Sequence, residues 1–167
     1  MKNRIQDLIN NFKLQKHPEG GYFKETYRSD GVIPSEVLSK AINGDRNYCT
    51  GIYFLLTSDN FSAFHRIKQD EMWHFYEGAP LLVHMIDKEG NYSLQKIGLD
   101  FEDEQVPQFV VPKGVWFASE VMKSDSYSFV GCTVAPGFDF ADFELAEKDS
   151  LISEFPKYSK IIARLTR

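Results

Sequence analysis

Positive charge is in short supply: 19 Lys and Arg stand against 24 Asp and Glu, for a net charge of −5. No basic run or stripe offers the footprint that a phosphate backbone needs, so nucleic acid is excluded as a general partner. Cysteine is scarce too. The two present, Cys49 and Cys132, lie inside apolar, strand-like stretches. With no signal-like segment at the N-terminus, they are expected as separate buried thiols in the reducing cytoplasm rather than as a disulfide. Long apolar runs are missing: none approaches the roughly 18 residues that cross a bilayer, so a membrane is excluded as well. Phosphate-loop signatures are also absent. Gly20-Gly21 lacks the Walker lysine pattern and opens no clear helix, and neither G-x-G-x-x-G nor a nucleophile elbow occurs.

Aromatic rings are abundant: 14% of the 167 residues, with 14 Phe and 8 Tyr, a bias toward β structure. A chain of this length fits one domain, 1–167, around one hydrophobic core. Ile5, Leu8, Ile9 and Phe12 recur at helical spacing, which predicts an amphipathic helix over 3–14 that stops near His17-Pro18. GGYFKETYRS predicts a strand after a Gly-Gly turn, and 30–47 is irregular, with room for a short helix around Ser35–Ala41. From Tyr48 the chain runs through short apolar or alternating segments divided by turn signals such as SDN and KEGN. That rhythm predicts a sandwich or barrel. After it, DSLISEF and KYSKIIARL return to helical spacing. The expected architecture is mainly all-β, a jelly-roll barrel over about 20–146 with helices over about 3–14 and 147–166.

The stretch HRIKQDEMWHFYEG, 65–78, carries the densest chemistry. Residues i and i+2 share a strand face, so His65 and Ile67 point one way, and after the turn Glu71, Trp73 and Phe75 share a face. If that face is the barrel interior, Glu71 meets His65 across neighbouring strands among rings. Burial and pairing would then shift both pKa values, the setting of a general acid or base. His65 is the candidate base, with Glu71 orienting and charging it, and Trp73, Phe75, Ile67 and Phe117 are the candidate apolar wall. His74 falls on the opposite face, His84 inside LLVHMID reads as a packed residue, and His17 reads as a loop residue rather than a ligand.

The spacing His65–Glu71–Gly78 resembles the first signature of the cupin superfamily, G-x5-H-x-H-x3/4-E-x6-G. VPKGVWFASEV resembles part of the second, with Pro112 and Gly114 in place, Phe117 where a histidine stands in the family pattern and Val121 where an Asn stands. HPEGGYFKETYRS at 17–29 and VGCTVAPGFDFADFEL at 130–145 make the likeness specific to the uncharacterised cupin-5 family, over roughly 5–146. The resemblance implies a double-stranded β-helix, usually a homodimer, with no firm activity attached to the family.

Cupin metal sites resemble a cage of three His and one Glu. This chain keeps His65 and Glu71 but has Ile67 and Phe117 at the other two positions, too few ligands for a zinc site or a facial iron triad. No metal cofactor is therefore expected. A metal-free precedent in the superfamily is the sugar-nucleotide 3,5-epimerase, whose N-terminal block is distantly similar to EGGYFKETY here. By that analogy Glu25, Tyr27 and Arg28 lie near the ligand, with Arg28 free to pair with an anionic group. The expected function is binding of a small molecule in the barrel. A metal-independent isomerase or epimerase acting on a sugar-like or nucleotide-like ligand leads, ahead of a non-catalytic binding or sensing cupin and then a metal-dependent cupin enzyme.

Overall fold

The computed structural model describes residues 2–167. Helix α1, Lys2–Phe12, turns Leu8 onto Leu14, Leu55, Tyr127 and Phe129, and Arg4 anchors it through a two-pronged bond to Glu77 at 2.7 and 2.6 Å. It ends before the expected boundary. Lys13 takes a left-handed φ of 53° and Leu14 N–H bonds back to the Ile9 carbonyl, so this turn stops the helix before Pro18 can.

Strands follow in chain order: β1 Gln15–Lys16, β2 Tyr22–Arg28, β3 Val32–Ile33, β4 Arg46–Asn47, β5 Thr50–Thr57, β6 Phe61–Arg66 and β7 Asp70–Gly78. The rest are β8 Leu81–Ile86, β9 Tyr92–Ile97, β10 Gln108–Val111, β11 Trp116–Val121, β12 Tyr127–Ala135 and β13 Glu144–Leu145. The helix expected near 35–41 is one 3-10 turn, Ser35–Val37. One sheet runs β1-β2-β5-β12-β7-β10, a second β13-β6-β11-β8-β9, and β3 pairs β4 apart from both. The pairings nest: β5 with β12, β6 with β11, β7 with β10, β8 with β9, all antiparallel. Such first-to-last nesting across two sheets is a jelly roll, the double-stranded β-helix.

Helices α2 (Lys148–Glu154) and α3 (Ser159–Arg164) cover the outside of the second sheet. Their Leu151 and Ile162, with Phe155 and Leu165, pack on Phe64, Ile86, Trp116 and Ala118. Both faces of β11 are thereby buried, which is why WFASEV reads as a continuous apolar run rather than an alternating one. Between the sheets, Phe54, Trp73, Leu81, Val83, Phe117 and Val130 form the main core. The remaining space between the sheets is a cavity. No helix among the described residues is long and apolar enough to cross a membrane.

Candidate functional site

A cavity of about 250 Å³ opens between the sheets. Its floor is built by strand alternation. β6 presents His65, with Ile67 just beyond its end; β7 presents Glu71; β12 presents Cys132 and Val134; β5 presents Thr50, Ile52 and Phe54. Register puts Val134 beside Glu71 across the β12–β7 ladder. The mouth is formed by Phe138, Asp139, Phe140 and Phe143, downstream of β12. This segment is pinned by Phe138 N–H to Thr50 Oγ1 (2.9 Å) and by Gly137 N–H to the Asn47 carbonyl (2.8 Å).

The turn HPEGG supplies two residues that sequence reasoning missed. Gly20 (φ +118°) and Gly21 (φ +74°) both lie in the left-handed region, and a Cβ at Gly20 would collide with the Phe61 carbonyl. With the turn docked by Ala63 N–H to the Glu19 carbonyl (2.9 Å), Glu19 swings inward onto His65, and His17 lies beside it. The available signal was an acid set immediately before two consecutive glycines, a place where the backbone can approach another strand closely.

His65 is buried, at 2% exposure. Its Nδ1–H donates to the Ala63 carbonyl at 2.7 Å, and Nε2 faces Glu19 Oε2 at 3.1 Å. The other Glu19 oxygen accepts from Ser62 Oγ at 2.9 Å. The carboxylate in contact with His65 is thus Glu19 and not Glu71, which corrects the expected pairing: across the barrel Glu71 stands off from the ring, while the Gly-Gly turn brings Glu19 directly against it. Burial pushes the Glu19 carboxyl up, against the pull of His17 and Ser62. Burial also pushes His65 down, against the Glu71 charge and the Ala63 carbonyl. Both shifts favour the uncharged forms of the two groups, which stay in contact through Glu19 Oε2 and His65 Nε2. His17 Nδ1 accepts the Glu19 amide N–H at 3.3 Å, so its neutral ring carries hydrogen on Nε2.

Glu71 is the odd group. It is 8% exposed, lines the cavity and has the Cys132 thiol as its hydrogen-bonding neighbour. Burial pushes its carboxyl up to about 7, with His65 opposing and Glu19 reinforcing. The neighbouring Cys132 thiol is driven well above its ordinary range by burial and by the Glu71 charge, so it stays protonated and poorly nucleophilic.

The residues expected at the site divide. His65, Ile67, Glu71, Glu25 and Arg28 line the cavity; Trp73, Phe75, Phe117 and Tyr27 do not. Trp73 and Phe117 are core residues, Trp73 edge-on to Phe54 at 5.9 Å and Phe117 pressed on the His65 ring at 4.0 Å between centroids. Phe75 packs against the same core. Tyr27 is 56% exposed because a bulge between Glu25 and Tyr27 breaks alternation in β2 and aims Glu25 and Arg28 into the cavity together. His74 lies off the site, bonded to Thr133 (3.0 Å) and Gln108 (3.0 Å), and His84 packs between Tyr92 and Glu120. Cys49 and Cys132 are free thiols.

Ile67 and Phe117 put hydrocarbon at two positions where cupin cages have imidazoles, and Phe117 fills the space against His65. No three His, Cys, Asp or Glu side chains form a metal-ligand group among the described residues. Of the four cupin cage positions, His65 and Glu71 carry side chains able to ligate a metal, and Ile67 and Phe117 do not.

The profile of a family described as Cupin superfamily (DUF985), Cupin_5, matches residues 6–146. The uncharacterized protein YML079W of Saccharomyces cerevisiae is 35% identical over 150 residues, covering 83% of this chain and 73% of the yeast protein. Protein SO0799 from Shewanella oneidensis superposes with a TM-score of 0.86 at 37% identity, over 97% of this chain and 96% of that one. A hypothetical protein from Leishmania major superposes with a TM-score of 0.88 at 32% identity, over 96% and 97%.

Proposed function

The chain belongs to the Cupin_5 family (DUF985) of the cupin superfamily, and from that premise we propose that its cavity is a metal-independent acid–base site, isomerising or epimerising a small, sugar-like molecule. The observation that carries this reading is Glu71: a buried carboxyl facing the cavity, held by no cation and poised at about 7. A proton-moving group works best when its pKa lies near the working pH. As carboxylate, Glu71 takes a proton from the carbon beside a carbonyl; the electron pair moves onto the carbonyl oxygen, which is polarised by His17 Nε2–H. Return of the proton to the same carbon after the planar enolate turns its other face to Glu71 gives the epimer; return to the neighbouring carbon, with that carbon's hydroxyl proton passing to the former carbonyl oxygen, gives the isomer. Burial keeps the Glu71 pKa high, with His65 opposing the rise and Glu19 adding to it. A cavity near 250 Å³ sits just under the usual range of roughly 300–1,000 Å³ for ligand pockets, which favours a monosaccharide-sized ligand.

A second reading, binding without turnover, draws on the two ring nitrogens of His65, both already taken by protein partners. Deuterium wash-in decides between them. Incubating the protein in D₂O with unphosphorylated aldoses and ketoses, and following carbon-bound protons by NMR, is expected to show exchange next to the carbonyl of at least one. A sugar that raises the melting temperature yet exchanges only at the background rate would make the protein a binder.

The same reading makes the protein metal-free. Elemental analysis of untagged protein is expected to find less than about 0.2 metal per chain, with a melting temperature unmoved by chelator, since a bound metal would stabilise the fold. Stoichiometric metal lost to chelator together with stability would contradict it.

A further inference from the structure

Among the described residues, Arg28 is the only Lys or Arg lining the cavity, against four carboxylates: Glu19, Glu25, Glu71 and Asp139. Its guanidinium is already engaged at all three nitrogens. Nε and Nη2 donate to the two Glu25 oxygens at 3.0 and 2.7 Å, Nη1 to Asn47 Oδ1 at 2.8 Å, and Nη2 also to the Phe138 carbonyl at 3.1 Å. The fork that would grip a phosphate in two-pronged fashion is the one Glu25 occupies.

We propose that Glu25 is a specificity residue that withholds Arg28 from anions, so that the cavity accepts uncharged small molecules and rejects phosphorylated or nucleotide-bearing ones. The β2 bulge is the device. Strict alternation would put Glu25 and Arg28 on opposite faces of the strand, and the register shift between Glu25 and Tyr27 brings both to the cavity side, where they close on each other. An anion entering here would have to displace Glu25 from the guanidinium and then lie near Glu71 and Asp139. Burying a charge without a free partner is costly. An uncharged hydroxylated molecule meets no such penalty and finds hydrogen-bonding groups in Glu71 and His17 beside the apolar surface of Phe23, Ile52 and Phe54. The selectivity reverses the expectation that Arg28 receives an anionic group. It rests on the acid–base reading only in placing the ligand in this cavity; binding is measured without turnover, so a failed exchange assay and a failed selectivity test are separate results.

The test is calorimetric titration of inorganic phosphate into the wild type, Glu25→Ala, Glu25→Gln and the double variant Glu25→Ala/Arg28→Met. Glu25 and Arg28 are 40% and 39% exposed, a setting in which ion pairs contribute little to folding, and Glu25→Gln serves if the alanine variant does not fold. Releasing the fork is expected to tighten phosphate binding by at least about tenfold over the wild type, with the double variant back at the wild-type level. Wild-type protein that binds phosphate as tightly as Glu25→Ala would overturn the proposal. So would an absence of gain in the released variants, or a gain that survives loss of Arg28.

Discussion

Glu71→Gln is expected to slow proton exchange on the ligand by at least about 100-fold, the lower end for loss of a general acid–base group, while making the protein more stable above neutral pH. The two effects share one cause. Burial raises the Glu71 carboxyl from its ordinary 4.5 to about 7, so the folded protein holds that proton over a pH range in which the unfolded chain has released it. Below about pH 4.5 both states are protonated, and the group does not affect folding. As pH rises from about 4.5 to 7 the unfolded state binds fewer protons and stability falls; above 7 the loss levels off at about 3 kcal/mol. Glutamine stays neutral and escapes that loss. At pH 8 the variant should therefore melt about 6–12 °C above the wild type, given roughly 2–4 °C per kcal/mol for a chain of this size, and the two should converge near pH 4.5. Thermal unfolding across that range reads the effect; a variant that is slower but no more stable at pH 8 would mean that Glu71 is not strained by burial.

Arg46→Met should cost about 3–5 kcal/mol, the usual penalty for orphaning one member of a buried ion pair. Arg46 grips Asp142 through Nε–Oδ2 at 2.7 Å and Nη2–Oδ1 at 2.9 Å, and Gln69 Nε2 adds a bond at 2.6 Å. Burial pushes the Asp142 carboxyl up, and the Arg46 and Gln69 hydrogen bonds more than reverse it, leaving it below the ordinary carboxylate range. Asp142 lies in the 3-10 turn Phe140–Asp142, between two of the rings at the cavity mouth. Without Arg46 the buried charge keeps only Gln69 and the longer contact to Lys68 Nζ at 3.5 Å, so hydrogen exchange should rise over 138–143 along with the loss seen in denaturant unfolding. Arg46→Met/Asp142→Leu should recover part of the stability, because no buried charge is left unpaired, while Gln69 Nε2 loses its acceptor. A cost below about 1 kcal/mol for the single variant, the value of an exposed pair, would show that the clamp does not hold the mouth.

The barrel was legible in the sequence because its signals are local: apolar runs of strand length, turn residues between them, and the helical spacing of Ile5, Leu8, Ile9 and Phe12. The face of His65, Ile67 and Glu71 was legible for the same reason, since alternation assigns side chains to inside or outside. Alternation does not give depth. Trp73, Phe75 and Phe117 point inward as expected, but the interior is split between packed core and open cavity, and these three rings fall in the core. Tyr27, expected near the ligand by analogy with the epimerase block, is not part of the cavity lining, because a bulge adds one residue to β2 between Glu25 and Tyr27. Glu19 was missed because its contact with His65 depends on a left-handed double-glycine turn docking against β6, a tertiary event between distant stretches of chain.

Proton transfer in this cavity turns on one ionisation, and carbon-13 NMR of the Glu71 side-chain carboxyl, assigned by its loss in Glu71→Gln, measures it directly. A titration midpoint near 7 is the predicted result. A midpoint near its ordinary value of 4.5 would mean that the carboxylate is ionised throughout the working range, and would contradict Glu71 as the group that moves the proton.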